Sequence, residues 1–365
     1  MRLLLTSRLE DEDLKILSRY FDEIRIRGLY VRSKILAPEE LAAELGDIGV
    51  LVVEFDQVTP EVLDAASNLK LIVSLRAGAG RNINLTATTE RGIPVACCPG
   101  RSSDQVADFT LGVIIALARH IAETHCLIKS RQLTEKNPWR EGFAKGDVIW
   151  IMNDPRNFSF LRFKGPILAG RTLGILGFGV IGREVASRAR GFKVTVIAHD
   201  PYVSPEEAAE FGVKLVDCDT LFKESDFLTV HIKDSPETRG LVGRHHFSLM
   251  KPTAYFINTA RASVIDYNAL YEALVNKKIA GAALDVFEEE PLSPDHPLLD
   301  LDNVLLTPHI AGASYDSYRV ASPLARKAIE DFLADRKPEF LANPEVWEHR
   351  KFRIDKDKSD YRKKL

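Results

Sequence analysis

The stretch Thr172-Leu-Gly-Ile-Leu-Gly-Phe-Gly-Val-Ile-Gly182 joins an apolar run to the beginning of a helical segment. The apolar run predicts a buried strand, and the segment Arg183–Arg190 that follows it predicts a helix. Between them, three glycines have the spacing Gly177-x-Gly179-x-x-Gly182. In a strand–turn–helix unit, the first glycine permits a tight turn, the second lets the backbone approach a pyrophosphate, and the third lets the helix pack closely on the strand. The stretch therefore predicts a dinucleotide site, with the phosphates at the helix N-terminus.

An acidic residue lies where such a site needs one. The next predicted strand, Val194–Ala198, runs into His199 and Asp200, so Asp200 stands 18 residues after Gly182. A carboxylate at this point accepts hydrogen bonds from the adenine-ribose hydroxyls and repels a 2′-phosphate. Glycine triplets recur by chance in a chain with 22 glycines, but here strand, helix and acid agree. This agreement favours NAD as the cofactor over a purely structural turn.

The rest of the chain alternates short apolar runs with amphipathic segments, in one series over residues 1–100 and in a second from Thr172 to Leu306. Continuous Val/Ile/Leu strands that alternate with helices indicate parallel sheets covered on both faces. We therefore expect an α/β protein with two Rossmann-like domains, one flavodoxin-like and one NAD-binding. Ser103–His125 indicates one long helix that bridges the domains. Tyr315–Ala334 indicates a helix that returns to the first domain, so that the second domain is inserted into the first.

The expected domain boundaries follow from these segments. The substrate domain is expected at 1–103 and 309–345, and the NAD-binding domain at 104–308. Residues 132–169 show poor periodicity and indicate an irregular connection, whereas 346–365 are mostly charged and indicate a solvated tail.

Composition excludes several other classes of protein. The chain has 365 residues, of which 45% are hydrophobic, and a formal net charge of −3, which argues against a general nucleic-acid binder. The apolar run near Met1 is too short for a signal peptide, and no run approaches the length of a membrane span. The four cysteines form no CxxC pair and no zinc-like spacing with histidine, so we expect reduced thiols, no metal site and a cytoplasmic protein.

Three further segments fall at the ends of successive predicted strands: Asn258–Asp266, Asp285–Pro291 and Thr307–Gly312. Ligands of open α/β sheets bind beyond the carboxyl ends of the strands, so these segments can converge on one site. They supply an arginine, Arg261, a carboxylate, Glu290, and an imidazole, His309. Reduction of a 2-keto acid needs a cation to polarise the carbonyl, a proton donor, and a carboxylate that orients the donor. Each residue alone is more often structural, and their order after the glycine motif is what favours catalysis.

These motifs, in this order, resemble those of the D-isomer-specific 2-hydroxyacid dehydrogenase family, and more specifically its D-3-phosphoglycerate dehydrogenase branch. The resemblance runs from about Leu69 to Ala334. It implies that Arg261 binds substrate, that Glu290 is the carboxylate partner, and that His309 is the acid/base. It also implies a small anionic 2-hydroxy or 2-keto acid as substrate and a homodimer to which the helix after residue 103 contributes.

The resemblance further assigns binding residues. The NAD site would include Gly177, Gly179 and Gly182 together with Val180, Ile181, Asp200, Ile232, Thr259, Ala260, Asp285, Ala311 and Gly312. Asp285 would lie near the nicotinamide carboxamide. The loop from Arg76 to Gly80 resembles the family's loop whose backbone amides, here those of Ala79 and Gly80, hold the substrate carboxylate.

The chain departs from the family pattern at three places. Ala262 stands where glycine usually follows the catalytic arginine, Lys233 replaces a usual proline, and the loop 99–103 lacks asparagines common in the phosphoglycerate branch. The last departure leaves the substrate open, although Arg76 and Arg101 suit a second anionic or hydroxylated group. The alternatives are a glyoxylate/hydroxypyruvate reductase, a formate or phosphite dehydrogenase, and an NAD(H)-sensing binding protein without catalysis.

Overall fold

The computed structural model describes residues 1–133 and 159–350, which form two compact units. The first unit consists of Met1–Ser102 and the chain from Ser314 onward, and the second unit is Ser103–Ala313. The second unit is thus inserted into the first along the chain. The expected insertion at 104–308 begins one residue later and ends five residues earlier than this unit.

The first unit contains a five-stranded sheet in which every pairing is parallel. Its strands are β1 (Arg2–Leu5), β2 (Glu23–Ile26), β3 (Ile48–Val53), β4 (Leu71–Ser74) and β5 (Val95–Cys97), in the order β2-β1-β3-β4-β5. This is the flavodoxin-like order. Successive residues of a strand face opposite sides, and both sides are apolar: Val50 and Val52 pack in one core, whereas Leu51 and Val53 pack in the other.

The second unit contains a seven-stranded sheet, also parallel in every pairing. Its strands are β6 (Thr172–Leu176), β7 (Thr195–His199), β8 (Lys214–Leu215), β9 (Phe227–Val230), β10 (Tyr255–Asn258), β11 (Gly281–Leu284) and β12 (Val304–Leu306). The order is β12-β11-β10-β9-β6-β7-β8, so the direction of winding reverses at β6. Ligands bind at such a switch point, beyond the carboxyl ends of the strands. The predicted fold class is confirmed.

Helices connect the strands of both sheets. Those of the first unit are α1 (Asp11–Leu17), α2 (Leu29–Arg32), α3 (Pro38–Glu44), α4 (Pro60–Asp64), α5 (Leu85–Glu90), α14 (Ser317–Leu333) and α15 (Val346–His349). Those of the second unit are α6 (Ser103–Ala118), α7 (Ile121–Lys129), α8 (Ser159–Arg162), α9 (Val180–Ala189), α10 (Pro205–Glu210), α11 (Cys218–Glu224), α12 (Arg244–Leu249) and α13 (Tyr267–Val275). Several begin at a side-chain cap; for example, the Asn84 side chain accepts from the amide of Ala87 at 2.9 Å.

The single long helix predicted for Ser103–His125 is wrong, because the chain forms α6 and α7 with a bend of 67° between them. His120 takes a left-handed conformation at the break, with φ of 54°. A tertiary contact lies at this break: a Cβ on Gly165 would lie 1.7 Å from the carbonyl oxygen of Ala118, so the backbone at Gly165 packs directly against the end of α6. Among the described residues no single helix is long and apolar enough to cross a membrane, and only this bent pair passes that test jointly.

The charged tail predicted for 346–365 is wrong at its beginning. Val346 and Trp347, at the start of α15, are buried, and Trp347 belongs to a core of the first unit. The Arg350 guanidinium lies 3.8 Å from the centroid of the Trp347 ring and pairs with Asp335. The segment is therefore amphipathic despite its charges, and 351–365 lie outside the described residues. Most of the predicted irregular connection, 134–158, also lies outside them.

Candidate active site

The glycine motif lies between β6 and α9 and has the geometry that a dinucleotide requires. Gly177 has φ of 94°, and a Cβ there would lie 2.6 Å from Cγ2 of Ile232. A Cβ on Gly182 would lie 2.3 Å from the carbonyl oxygen of Gly177, so helix and strand pack as closely as predicted. Around Gly179, by contrast, a Cβ would meet no atom of the described residues within 4 Å. The backbone at Gly179 is therefore open to a ligand, which fits the approach of a pyrophosphate to this turn.

Asp200 follows β7 and contacts the same turn. Its Oδ2 accepts a hydrogen bond from the amide of Phe178 at 2.8 Å, and its Oδ1 accepts from the amide of Tyr202 at 2.9 Å. A carboxylate offers about four acceptor positions, so these two bonds leave capacity for ribose hydroxyls. Asp200 thus holds the glycine turn in place in addition to the role predicted from the sequence.

The remaining residues predicted for the cofactor all follow strand ends of the second sheet. Val180 is the most open of them, at 61% exposure, and begins α9. Partly buried are Ile181, Ile232, Ala260 and Gly312, and fully buried are Thr259 and Ala311. The Thr259 hydroxyl lies 3.0 Å from the hydroxyl of Thr110 on α6, so that side chain is engaged inside the unit.

His309 and Glu290 form a pair. Nδ1 of His309 lies 2.7 Å from Oε2 of Glu290, and Oε1 of Glu290 accepts from the amide of Phe287 at 3.1 Å. A carboxylate on one ring nitrogen fixes the orientation of an imidazole and leaves the other nitrogen, Nε2, for proton exchange. Both side chains remain about one-third exposed, at 34% and 38%, so the pair is accessible.

Asp285 holds the loop that carries His309. This carboxylate, 1% exposed, accepts three hydrogen bonds: from the Thr307 hydroxyl at 2.7 Å, the Ile310 amide at 2.9 Å and the Ala311 amide at 2.8 Å. His309 itself has φ of 55°, a left-handed conformation that costs energy for a residue with a Cβ. Sequence reasoning missed this role, although an acid directly after a buried strand must be satisfied by nearby donors.

Arg261 lies on a turn shaped by Asn258. The buried Asn258 side chain donates to the carbonyl of Arg261 at 3.0 Å and accepts from the amide of Ala260 at 3.0 Å. Nη1 of Arg261 donates to the carbonyl of Ala260 at 2.5 Å. Arg261 follows β10 and His309 follows β12, and β11 with Asp285 lies between those strands. The sheet therefore brings the three predicted catalytic segments to one edge.

The predicted substrate loops belong to the first unit. Arg76 follows β4, and Ala79–Arg81 form a short 3₁₀ turn in which Ala79 is buried and Gly80 is exposed. Burial lowers the pKa of Arg76, and the neighbouring charges of Arg81 and Arg101 lower it further. Arg101 is engaged within its own unit, because its Nη1 lies 2.5 Å from Oε1 of Glu54.

His231, which follows β9 directly, is a partly buried residue that the sequence did not single out. Its Nε2 lies 3.0 Å from the Thr229 hydroxyl, and its Nδ1 is buried with no hydrogen-bond partner in the described part of the chain. Burial lowers the pKa of this imidazole to about 3. Its backbone carbonyl lies beside Gly177, with the oxygen 2.9 Å from where a Cβ would be.

Comparison with known proteins agrees with this geometry. Residues 111–311, more than half of the chain, match the NAD-binding domain of the D-isomer-specific 2-hydroxyacid dehydrogenases. The chain is 38% identical to D-3-phosphoglycerate dehydrogenase of Methanocaldococcus jannaschii over 94% of its own length but only 59% of that relative's. It is 35% identical to glyoxylate reductase of Thermococcus litoralis over 94% of its own length and 97% of the relative's.

Among solved structures, the apo D-lactate dehydrogenase from Escherichia coli has a TM-score of 0.70 at 26% identity, covering 94% of this chain and all of the other. The fold, the NAD-binding domain and the resemblance drawn from the motifs are thereby confirmed. The chain belongs to the D-isomer-specific 2-hydroxyacid dehydrogenases.

Proposed function

We propose that the chain is an NAD-dependent oxidoreductase that transfers a hydride between nicotinamide and C2 of a small D-2-hydroxy acid or 2-keto acid. The observation that carries the proposal is the 2.7 Å pair of His309 and Glu290. This pair lies at the same sheet edge as Arg261 and the glycine motif. An NAD(H)-sensing protein would not need a paired acid/base on an accessible loop.

Each catalytic side chain has a chemical role that its surroundings suit. Arg261 binds the substrate carboxylate and polarises the carbonyl at C2, since a guanidinium presents several donors in one plane. His309 donates a proton to the carbonyl oxygen as it becomes a hydroxyl, and accepts that proton in the oxidative direction. Glu290 holds the ring in one orientation through the contact with Nδ1. Bound NADH supplies the hydride.

The glycine turn and Asp200 would hold the cofactor. The open backbone at Gly179 and the amides at the start of α9 suit the pyrophosphate. Asp200 at the end of β7 suits ribose hydroxyls and repels a 2′-phosphate, so we propose a preference for NAD(H) over NADP(H).

The relatives and the surroundings of Arg76 narrow the range of candidate substrates. The chain spans only a little more than half of the M. jannaschii phosphoglycerate dehydrogenase but nearly all of the T. litoralis glyoxylate reductase. In residues 1–133 and 159–350 no carboxylate forms an ion pair with Arg76, whose guanidinium lies 5.5 Å from the centroid of the Phe55 ring. We propose a 2-keto acid with a second anionic or hydroxylated group, such as a phosphoglycerate-like compound, with glyoxylate or hydroxypyruvate as the alternative.

The proposal extends to assembly and location. In the described part of the chain helix α7 has no buried residue and exposes Ile121 and Ile128, which supports a homodimer formed with a second copy. Cys97, Cys98, Cys126 and Cys218 are all free thiols, which supports a reducing, cytoplasmic setting.

The reaction can be tested by following NADH and NADPH at 340 nm with glyoxylate, hydroxypyruvate, pyruvate and the 3-phosphate ester of hydroxypyruvate. We expect turnover with NADH, and His309→Asn should lower kcat by about 10² or more while the Kd for NADH changes little. Glu290→Gln should also lower kcat, because the charged acceptor that holds Nδ1 of His309 is lost.

A matched control is His245→Asn. His245 also contacts a carboxylate, with Nε2 lying 3.1 Å from Oδ1 of Asp219, but it lies on α12 and that carboxylate belongs to none of the three catalytic segments. This variant should keep normal turnover. Near-normal kcat in His309→Asn would remove the acid/base assignment, and tight NADH binding without turnover of any compound would favour a sensor.

A further inference from the structure

Glu54 is a buried carboxylate that the proposed reaction does not use. It follows β3 directly and is 2% exposed. Its Oε1 pairs with Arg101 at 2.5 Å, and its Oε2 accepts from the hydroxyls of Ser7 at 2.5 Å and Tyr318 at 3.2 Å. Because a buried ion pair contributes little net stability, this network is better explained by the charge and orientation that it sets than by a gain in folding energy.

The surroundings of Glu54 are strongly positive. Arg76, Arg81 and Arg101 follow β4 and β5 of the same parallel sheet, and the pKa of Arg76 is lowered by burial and then by the charges of the other two. Glu54 acts in the opposite direction on Arg76. We call Arg76, Arg81, Arg101 and Glu54 the arginine cluster. Its arginines outnumber its carboxylate, so the cluster has a net positive charge that attracts an anion.

We propose that Glu54 determines specificity for the end of the substrate remote from C2, by holding the Arg101 guanidinium and cancelling its charge. The inference rests on the proposed function, in which Arg76 suits a second anionic or hydroxylated group at that end of the substrate. The Glu54 carboxylate neutralises Arg101, so the positive charge left for the substrate is that of Arg76 and Arg81. The carboxylate thereby weakens the attraction of the arginine cluster for a substrate with a doubly charged remote group. A substrate with a neutral, hydroxylated group can then compete for binding.

The test compares two substrates that differ only at the remote end: hydroxypyruvate and its 3-phosphate ester. Glu54→Gln keeps the shape of the side chain and an oxygen that accepts from Ser7 and Tyr318, but removes the charge. We expect the ratio of kcat/KM for the phosphate ester to that for hydroxypyruvate to rise about fivefold or more, mainly through KM of the ester. A loss of packing alone would affect both substrates alike.

Two control variants separate charge from structure. Asp56→Asn removes another buried carboxylate after β3, one that accepts from the Thr6 hydroxyl at 2.5 Å and the Leu36 amide at 2.8 Å and pairs with no arginine in the described residues. Tyr318→Phe removes one hydrogen bond to Glu54 and keeps its charge. Both should leave the ratio unchanged, whereas an unchanged ratio in Glu54→Gln would overturn the proposal.

Arg76→Ala distinguishes the failure of this inference from the failure of the proposed function. If Arg76→Ala lowers the ratio and Glu54→Gln leaves it unchanged, Glu54 is structural and the proposed substrate contacts stand. If Arg76→Ala also leaves the ratio unchanged, or neither compound is reduced, the assignment of the cluster to the substrate is itself wrong.

Discussion

At the scale of single residues, the role of a charged side chain depends on its partners in space. The sequence identified Arg261, Glu290 and His309 because their motifs are local and ordered, and the structure brings them to one sheet edge. The sequence assigned Arg101 to the substrate but could not identify its partner Glu54, because Glu54 lies 47 residues away and nothing in the local sequence links the two. Similarly, Asp285 was interpreted only as a cofactor residue, since its three donors lie 22 to 26 residues further along the chain.

Asp285→Asn should separate these two roles of Asp285. An asparagine retains one acceptor oxygen, but its NH₂ group would face a backbone or hydroxyl donor and leave it unsatisfied, at a cost of about 1–3 kcal/mol. The loop that carries His309 should then lose its position, and kcat should fall about tenfold or more while the Kd for NADH stays within a factor of about three. Stopped-flow turnover and fluorescence titration of NADH measure the two quantities.

Thr307→Val provides the matched control, because it removes only the hydroxyl bond to Asp285 and leaves both amide bonds. Its kcat should fall less than that of Asp285→Asn. Normal kcat combined with weak NADH binding in Asp285→Asn would instead support the nicotinamide contact that the family resemblance implies.

At the scale of elements, the apolar periodicity predicted the strands and their parallel arrangement, and their ends shifted by only a residue or two. The predicted strand at Val194–Ala198, for example, is β7 at Thr195–His199. The elements that were predicted wrongly depend on distant contacts. The break after Ala118 lies against the backbone of Gly165, and the burial of Trp347 depends on a core built from β1, β3 and α14. Local periodicity does not carry such information.

His231, which follows β9, should contribute to the pH dependence of the free energy of unfolding. The pKa of His231 falls from 6.5 to about 3 on burial, so the native protein excludes a proton that the unfolded chain binds below about pH 6.5. Stability from this group is therefore fully present above pH 6.5 and is lost as the pH falls, by up to about 1.4 kcal/mol per pH unit. The free energy of unfolding in urea, measured without nucleotide from pH 7 to pH 4, should fall less steeply for His231→Gln than for the wild type. Parallel curves would show that His231 is solvated.

At the scale of the whole molecule, the chain builds two units with separate hydrophobic cores. The first unit needs both ends of the chain, since Tyr318, Phe332 and Trp347 pack in the same core as Leu3 and Leu5. The second unit is continuous, and every residue assigned to the cofactor lies within it. Proteins with more than one domain often unfold in more than one step, and a ligand stabilises only the unit that binds it.

In calorimetry, NADH should therefore raise the temperature of one unfolding transition and leave the temperature of the other unchanged. At about 100 times its Kd, NADH should stabilise the second unit by about 2.7 kcal/mol, which raises the transition of a unit of this size by several degrees. The matched measurement uses Asp200→Ala, in which the upward shift at the same NADH concentration should be smaller, because the ribose contact is lost. If a single transition shifts as a whole, the two units unfold as one cooperative body. If neither transition moves, the glycine turn between β6 and α9 does not hold the cofactor.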